Sequence, residues 1–258
     1  MRKAILFVSF GTSYHSARES SLECIYQELI RTADRIPVYQ AYTSGVILEK
    51  LLGQGIKINT VKEAVRQILA DKTARLYVIP SHMIPGMEYQ KMVRELEKYH
   101  SAFEELKVAP SVLHKEADCD RLVSVLCDIL GFVPDYEYIL MGHGSEDAAN
   151  IRYQQMNEAF LGKGFANVQI ASVEAKPDLE DAIGVIRKRH SDKKIILHPF
   201  MVVAGDHAQN DMAGEVDSYA TRLREEGFQT KAVVKGLGEY SQFRKLYTDK
   251  LKEMLSLG

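Results

Sequence analysis

Residues 196–209 read ILHPFMVVAGDHAQ, and residues 76–90 read LYVIPSHMIPGMEYQ. Each opens on an apolar, β-rich run and empties into a turn of small and polar residues, the pattern of a buried strand feeding a helix. Set one above the other, Pro80 falls on Pro199, Gly86 on Gly205, Gln90 on Gln209 and Glu88 on His207. Two further pairs extend the match. FVSFGTS (7–13) aligns with LMGHGSE (140–146), putting Phe10 opposite His143 and Gly11 opposite Gly144. VYQAYTS (38–44) aligns with VQIASVE (168–174), putting Ser44 opposite Glu174. A chain written twice in this way predicts two similar lobes.

Strand-like and helix-like segments alternate throughout. KAILFVSF, RLYVIP, VAPSVL, EYILMG, VQIASV, KIILHPF and TKAVVKG read as strands. Leu22, Ile25, Tyr26, Leu29 and Ile30 share one helical face, and Thr60 with Glu63 has capping-box spacing ahead of Val61, Ala64, Val65, Ile68 and Leu69. Such alternation predicts an α/β fold in which each lobe is a parallel sheet flanked by helices. The boundary is expected near residues 131–137, giving lobes 1–134 and 135–258. Ligands of open α/β sheets bind at the carboxyl ends of the strands, so an interlobe cleft lined by those ends is the expected site.

Composition narrows the function. The chain has 258 residues, 33 Lys and Arg, 35 Asp and Glu, and a net charge of −2, without the basic surplus of a nucleic-acid binder. Arg187, Lys188, Arg189 and His190 read as a helix end. No apolar run approaches a membrane span, and the N-terminal MRKAILFVSFGTSYH is too short in its apolar part for a signal peptide. Cys24, Cys119 and Cys127 form no C-x-x-C pair, which points to a reducing compartment and a cytoplasmic protein. G-x-G-x-x-G fails at MGHGSED, where Asp147 takes the place of the third glycine, and no P-loop lysine is present. Whether the chain forms a homo-oligomer stays open.

Three successive strand ends of the second half therefore offer His143, Glu174 and His207. Two imidazoles and a carboxylate suit a borderline divalent metal such as cobalt, iron, nickel or zinc. Against this, each residue has a structural reading: His143 and His207 in turns, Glu174 in a loop, and Glu88 at the positive end of a helix. His82 and His198 lie on apolar strand stretches and read as hydrogen-bonded core or edge histidines. Arg18, Arg152 and Lys176 lie near strand ends as candidate partners for an acidic ligand.

The segments LFVSFGTSYHSA, AYTSG, GMEYQKMVREL, MGHGS and above all VAGDHAQNDMAG resemble the anaerobic sirohydrochlorin cobaltochelatases of the CbiK type, over nearly the whole chain. The resemblance implies two similar α/β lobes and a tetrapyrrole held between them. It implies active-site histidines at His143 and His207, a metal-site carboxylate at Glu174 and a cleft glutamate at Glu88. Phe10, Gly11 and Ser44 become candidate substrate contacts. The implied reaction is ATP-independent insertion of Co2+ into sirohydrochlorin in cobalamin biosynthesis, with cobalt as substrate and no further cofactor required. Iron insertion for sirohaem and a non-catalytic tetrapyrrole or metal carrier are the alternatives. One departure stands out: Met87 occupies a position where the family often has Asp.

Overall fold

The computed structural model describes residues 2–189 and 192–256; His190, part of the expected helix end, lies outside them. The chain divides into two compact units, residues 1–114 with 244–258, and residues 115–243.

In the first unit, β1 (Lys3–Ser9) leads through a helical turn at His15–Ala17 and a π-helical turn at Arg18–Glu23 into α1 (Cys24–Ala33). There follow β2 (Val38–Tyr42), α2 (Gly45–Gly53), the two-residue β3 (Asn59–Thr60), α3 (Val61–Ala70), β4 (Arg75–Pro80), α4 (Met87–Glu97) and β5 (Glu105–Val108). All strands pair in parallel in the order β3-β2-β1-β4-β5. Because β1 is central, Ala4 to Val8 are all fully buried, which is why its sequence is a continuous apolar run without alternation. The capping box forms as expected: Glu63 N–H donates to Thr60 Oγ1 at 3.2 Å, and Thr60 N–H donates to Glu63 Oε2 at 2.8 Å.

The second unit contains α5 (Asp118–Leu130), β6 (Tyr136–Gly142), α6 (Ile151–Gly162), β7 (Val168–Ser172), α7 (Leu179–Lys188), β8 (Lys194–Pro199), α8 (Tyr219–Glu225) and β9 (Thr230–Ala232). Its sheet, β7-β6-β8-β9, is also wholly parallel. One core packs Ile139, Met141, Ile183, Ile186, Leu197 and Leu223 together. No helix among the described residues is long and apolar enough to cross a membrane.

The internal repeat is visible in the backbone. Val8 pairs with Pro80 and Met141 with Pro199; Ser9 pairs with Tyr42 and Gly142 with Ser172. Ser44 N–H donates to Phe10 O at 3.3 Å, and its counterpart Glu174 N–H donates to His143 O at 2.9 Å. These are the pairings that the aligned sequences predict.

Two expectations need correction. The division falls at His114/Lys115 and not at 134/135, and the last helix, α9 (Ser241–Ser256), joins the first unit from Arg244 onward. Arg244 Nε donates to Glu28 Oε1 at 2.6 Å, Tyr247 OH to Ser81 O at 3.1 Å and Lys250 Nζ to Ser111 O at 2.8 Å. A helix anchored by its own side chains to a helix and loops far back in the chain cannot be assigned from sequence order. Nor is VAPSVL a strand as a whole. Ala109 N–H makes the last bond to β4, at Val78 O, and Pro110 has no N–H to continue.

Candidate metal centre

His143 leaves the end of β6 between two glycines, the first tightly packed and the second required. A Cβ on Gly142 would lie 3.0 Å from the Tyr153 ring. Gly144 has φ +82°, and a Cβ there would lie 2.8 Å from Ala175 N and 3.1 Å from the Glu174 carbonyl carbon. The β6 end is thus pressed against the loop after β7. The backbone bond from Glu174 N–H to His143 O and that from Val173 N–H to Gly142 O, at 3.0 Å, fix the two loops together. Tyr219 OH braces the same loop by donating to Ser172 O at 2.8 Å.

His207 follows β8 and precedes a π-helical turn at Ala208–Met212. Residues four apart share one face of a helical turn. Asp211 therefore stands over His207, with Oδ2 2.5 Å from Nδ1. The Nδ1 of His143 lies 2.7 Å from Gly144 O. A carbonyl can only accept, so Nδ1 of His143 is the donor, which leaves Nε2 as the nitrogen that can ligate a metal. Asp211 has the same effect on His207.

The rings of His143 and His207 meet edge to face, with centroids 4.2 Å apart. Glu174 Oε2 is 3.6 Å from His143 Nδ1. One ligand atom from each of His143, Glu174 and His207 lies within 4.8 Å of the others. Donors bound to one ion at about 2.0–2.2 Å are at most about 4 Å apart, so small side-chain rotations close the set around a metal. Side-chain exposures of 42% for His143, 52% for Glu174 and 30% for His207 leave the position open to solvent. Three ligands with open coordination sites capture an ion without saturating it.

The other candidates lie elsewhere. Phe10, Gly11, Ser44 and Glu88 belong to the first unit. Phe10 is exposed. Gly11 has φ +100°, and a Cβ there would lie 2.4 Å from the Tyr42 ring. Ser44 caps α2, its Oγ accepting from Ile47 N–H at 3.4 Å. Glu88 sits in the first turn of α4, with Oε1 3.5 Å from Lys91 Nζ and Oε2 buried without a hydrogen-bond partner. Met87, exposed, is the first residue of α4. Lys176 is held by Asp178 at 2.8 Å and Asp181 at 3.0 Å, and Arg152 Nη1 donates to Gln155 Oε1 at 2.5 Å.

The two core histidines part company. His198 is hydrogen-bonded as expected, with Nδ1 2.8 Å from Pro199 O and Nε2 3.1 Å from Tyr240 OH. Both ring nitrogens of His82 are buried with no hydrogen-bond partner, against expectation. Burial pulls each imidazole down to about 4. Unfolded histidine titrates near ~6.5, so between pH 6.5 and 4 the unfolded chain takes up protons that the folded chain refuses, and stability falls as pH falls. For His198 the loss between pH 7.5 and 5 comes to about 2 kcal/mol. Urea unfolding of His198→Gln at the two pH values should show a drop smaller by about that amount than the wild type's. An equal drop would mean that His198 is not held neutral.

Asp211 is a further member of the centre, beyond the residues that the sequence pattern points to. Its signal was there, a carboxylate four residues after a histidine in DHAQND. Asp211→Asn should weaken Co2+ binding by about 10- to 100-fold in a direct titration, because the amide no longer fixes the His207 tautomer. Unchanged affinity would remove Asp211 from the centre.

A parallel α/β fold whose strand ends bring two tautomer-fixed imidazoles and a carboxylate around an open position defines a metal-capturing α/β protein. The chain belongs to the CbiK family of cobalt chelatases, whose model matches residues 3–256. It is 30% identical over 260 residues to the sirohydrochlorin cobaltochelatase of Salmonella typhimurium, covering 100% of this chain and 98% of that protein. To the sirohydrochlorin cobaltochelatase CbiKC of Nitratidesulfovibrio vulgaris it is 27% identical, covering 99% and 91%. Among solved structures, SirB from Bacillus subtilis with Fe3+ shares the fold, with a TM-score of 0.65 at 12% identity over 98% of this chain and 95% of that one.

Proposed function

We propose that this protein inserts Co2+ into sirohydrochlorin without nucleotide hydrolysis, in a pathway that supplies cobalamin. The observation that carries this reading is the convergence of His143, Glu174 and His207. Membership of the cobalt chelatase family and the names of its two curated relatives support it.

The residue types fit the task. Insertion requires the ion to shed water and the macrocycle to lose two pyrrole N–H protons. An imidazole serves either need, as ligand when neutral or as proton acceptor near its ordinary pKa of ~6.5. His143, Glu174 and His207 hold the arriving ion, and His143, once the ion passes on to the macrocycle, is the base nearest the pyrrole N–H groups. Asp211 stabilises the His207 N–H that faces away from the metal. Glu88, a carboxylate with a buried unpaired oxygen, is a second proton acceptor. The cobalt is a substrate, so three exposed ligands are preferable to a closed site. Three free cysteines agree with work in a reducing cytoplasm.

The test is an optical assay with purified protein, excess sirohydrochlorin, and Co2+ or Fe2+ in turn. Many turnovers per chain with Co2+, faster than with Fe2+, are expected. Faster iron insertion would reassign the metal, and macrocycle binding that stops at one equivalent without metallation would make the protein a carrier.

A further inference from the structure

Five buried polar atoms without hydrogen-bond partners lie in two neighbouring stretches of the first unit, near the carboxyl ends of β1 and β2: Ser9 Oγ, Arg18 Nη1, Ser21 Oγ, Tyr42 OH and Thr43 Oγ1. They form a neighbourhood in the fold. Ser9 pairs with Tyr42, and Thr43 N–H donates to Ser9 O at 2.9 Å. Arg18 and Ser21 share the π-helical turn that follows β1, and the Arg18 charge acts on the Tyr42 hydroxyl. Gly11 lies against the Tyr42 ring, where no side chain fits.

Arg18 is the unusual member. It is 9% exposed, yet one guanidinium nitrogen has no partner. A buried guanidinium N–H without an acceptor forfeits a charge-assisted hydrogen bond, and native proteins rarely leave one so without a use for it. Its other terminal nitrogen makes only loose contacts, 3.3 Å to His15 Nδ1 and 3.6 Å to Glu19 Oε1. The side chains of His15 and Glu19 are 77% and 53% exposed, so both contacts are weak and displaceable. A carboxylate thus already hovers at this guanidinium without forming the bidentate pair that arginine favours.

We propose that Arg18 is an anion-recognition residue that takes a side-chain carboxylate of the substrate in place of Glu19. The inference rests on the reading that the substrate is a polycarboxylate tetrapyrrole. The carboxylate enters from the exposed side at Nη2, and rotation of the outer Arg18 torsions presents Nη1 to its second oxygen. In the second unit the positions matching Phe10 and Ser44 hold metal ligands, His143 and Glu174. After duplication, one set of strand ends captures the cation and the other recognises an anion.

The test compares wild type, Arg18→Gln, Arg18→Lys and Glu19→Ala in sirohydrochlorin metallation with Co2+, with Co2+ affinity measured separately. Loss of a charged pair predicts a KM for sirohydrochlorin raised about 10- to 50-fold in Arg18→Gln, with kcat changed less than about threefold. Arg18→Lys should fall between the two, and Co2+ affinity should not change. Glu19→Ala removes the internal competitor and should lower KM by about twofold. An unaltered KM in a folded Arg18→Gln protein overturns the proposal, as does a raised KM accompanied by weaker Co2+ binding, which is the signature of general distortion. If Arg18→Gln does not fold, Glu19→Ala decides, because an unchanged or raised KM there overturns it. A wild-type protein that neither binds nor metallates sirohydrochlorin overturns the substrate reading itself and this proposal with it.

Discussion

Replacing either His143 or His207 with Ala should abolish detectable metallation while leaving the fold intact. Each substitution removes one of the three donors of the proposed centre, to which no fourth His, Cys, Asp or Glu belongs among the described residues. Loss of an outer partner of a metal-bound histidine already costs about 10- to 100-fold, so loss of the ligand itself should cost about a thousandfold or more. That corresponds to about 4 kcal/mol. The side chains are 42% and 30% exposed, so their truncation opens no core cavity, and stability should stay within about 1 kcal/mol of wild type. Turnover and urea unfolding measured on the same preparations separate the two effects. Near-normal turnover in either variant would show that the histidines do not carry the reaction.

The second large effect comes from a residue with no functional group. Gly144 holds φ +82°, a conformation that costs an L-residue about 1–2 kcal/mol. An added Cβ would also meet Ala175 N at 2.8 Å, Ala175 Cβ at 2.9 Å and the Glu174 carbonyl carbon at 3.1 Å. Two of those atoms are backbone and cannot rotate away. Gly144→Ala should therefore lose about 2–4 kcal/mol of stability, and the β7 loop should move to relieve the contact. Because that loop carries Glu174, Co2+ affinity should fall as well. The two readouts are denaturant unfolding and Co2+ titration. A variant as stable and as tightly binding as wild type would mean that the two loops are not in enforced contact.

The fold was legible because strand burial leaves a direct mark on sequence. Continuous runs such as AILFV and YILM cannot serve as surface strands, and their spacing demanded helical crossovers. The repeat then carried information that no single motif holds. Aligning the halves placed Glu174 opposite Ser44 and His207 opposite Glu88, and the backbone bonds of the two units follow the same alignment. Local pattern said little about partners distant along the chain. Asp211 carried only a weak signal, because a carboxylate four residues after a histidine is common on any helix face and nothing local says that the pair stands at a metal site. Lys176 looked available to a ligand until Asp178 and Asp181 were seen to hold it. The boundary near residue 134 failed because α5 packs against α6 of the second unit, and α9 returns to the first because Arg244, Tyr247 and Lys250 reach Glu28 of α1, Ser81 and Ser111.

The central claim is that the ion held by His143, Glu174 and His207 is the one that enters the macrocycle. The direct measurement loads the protein with one equivalent of radioactive Co2+ and removes the excess. Sirohydrochlorin is then added together with a large pool of unlabelled Co2+, and the first turnover is stopped and its product counted. Label found in the metallated tetrapyrrole in nearly stoichiometric amount, and lost in His207→Ala, is the predicted result. Label that stays on the protein while unlabelled cobalt enters the product would contradict the account and make the centre a structural metal site.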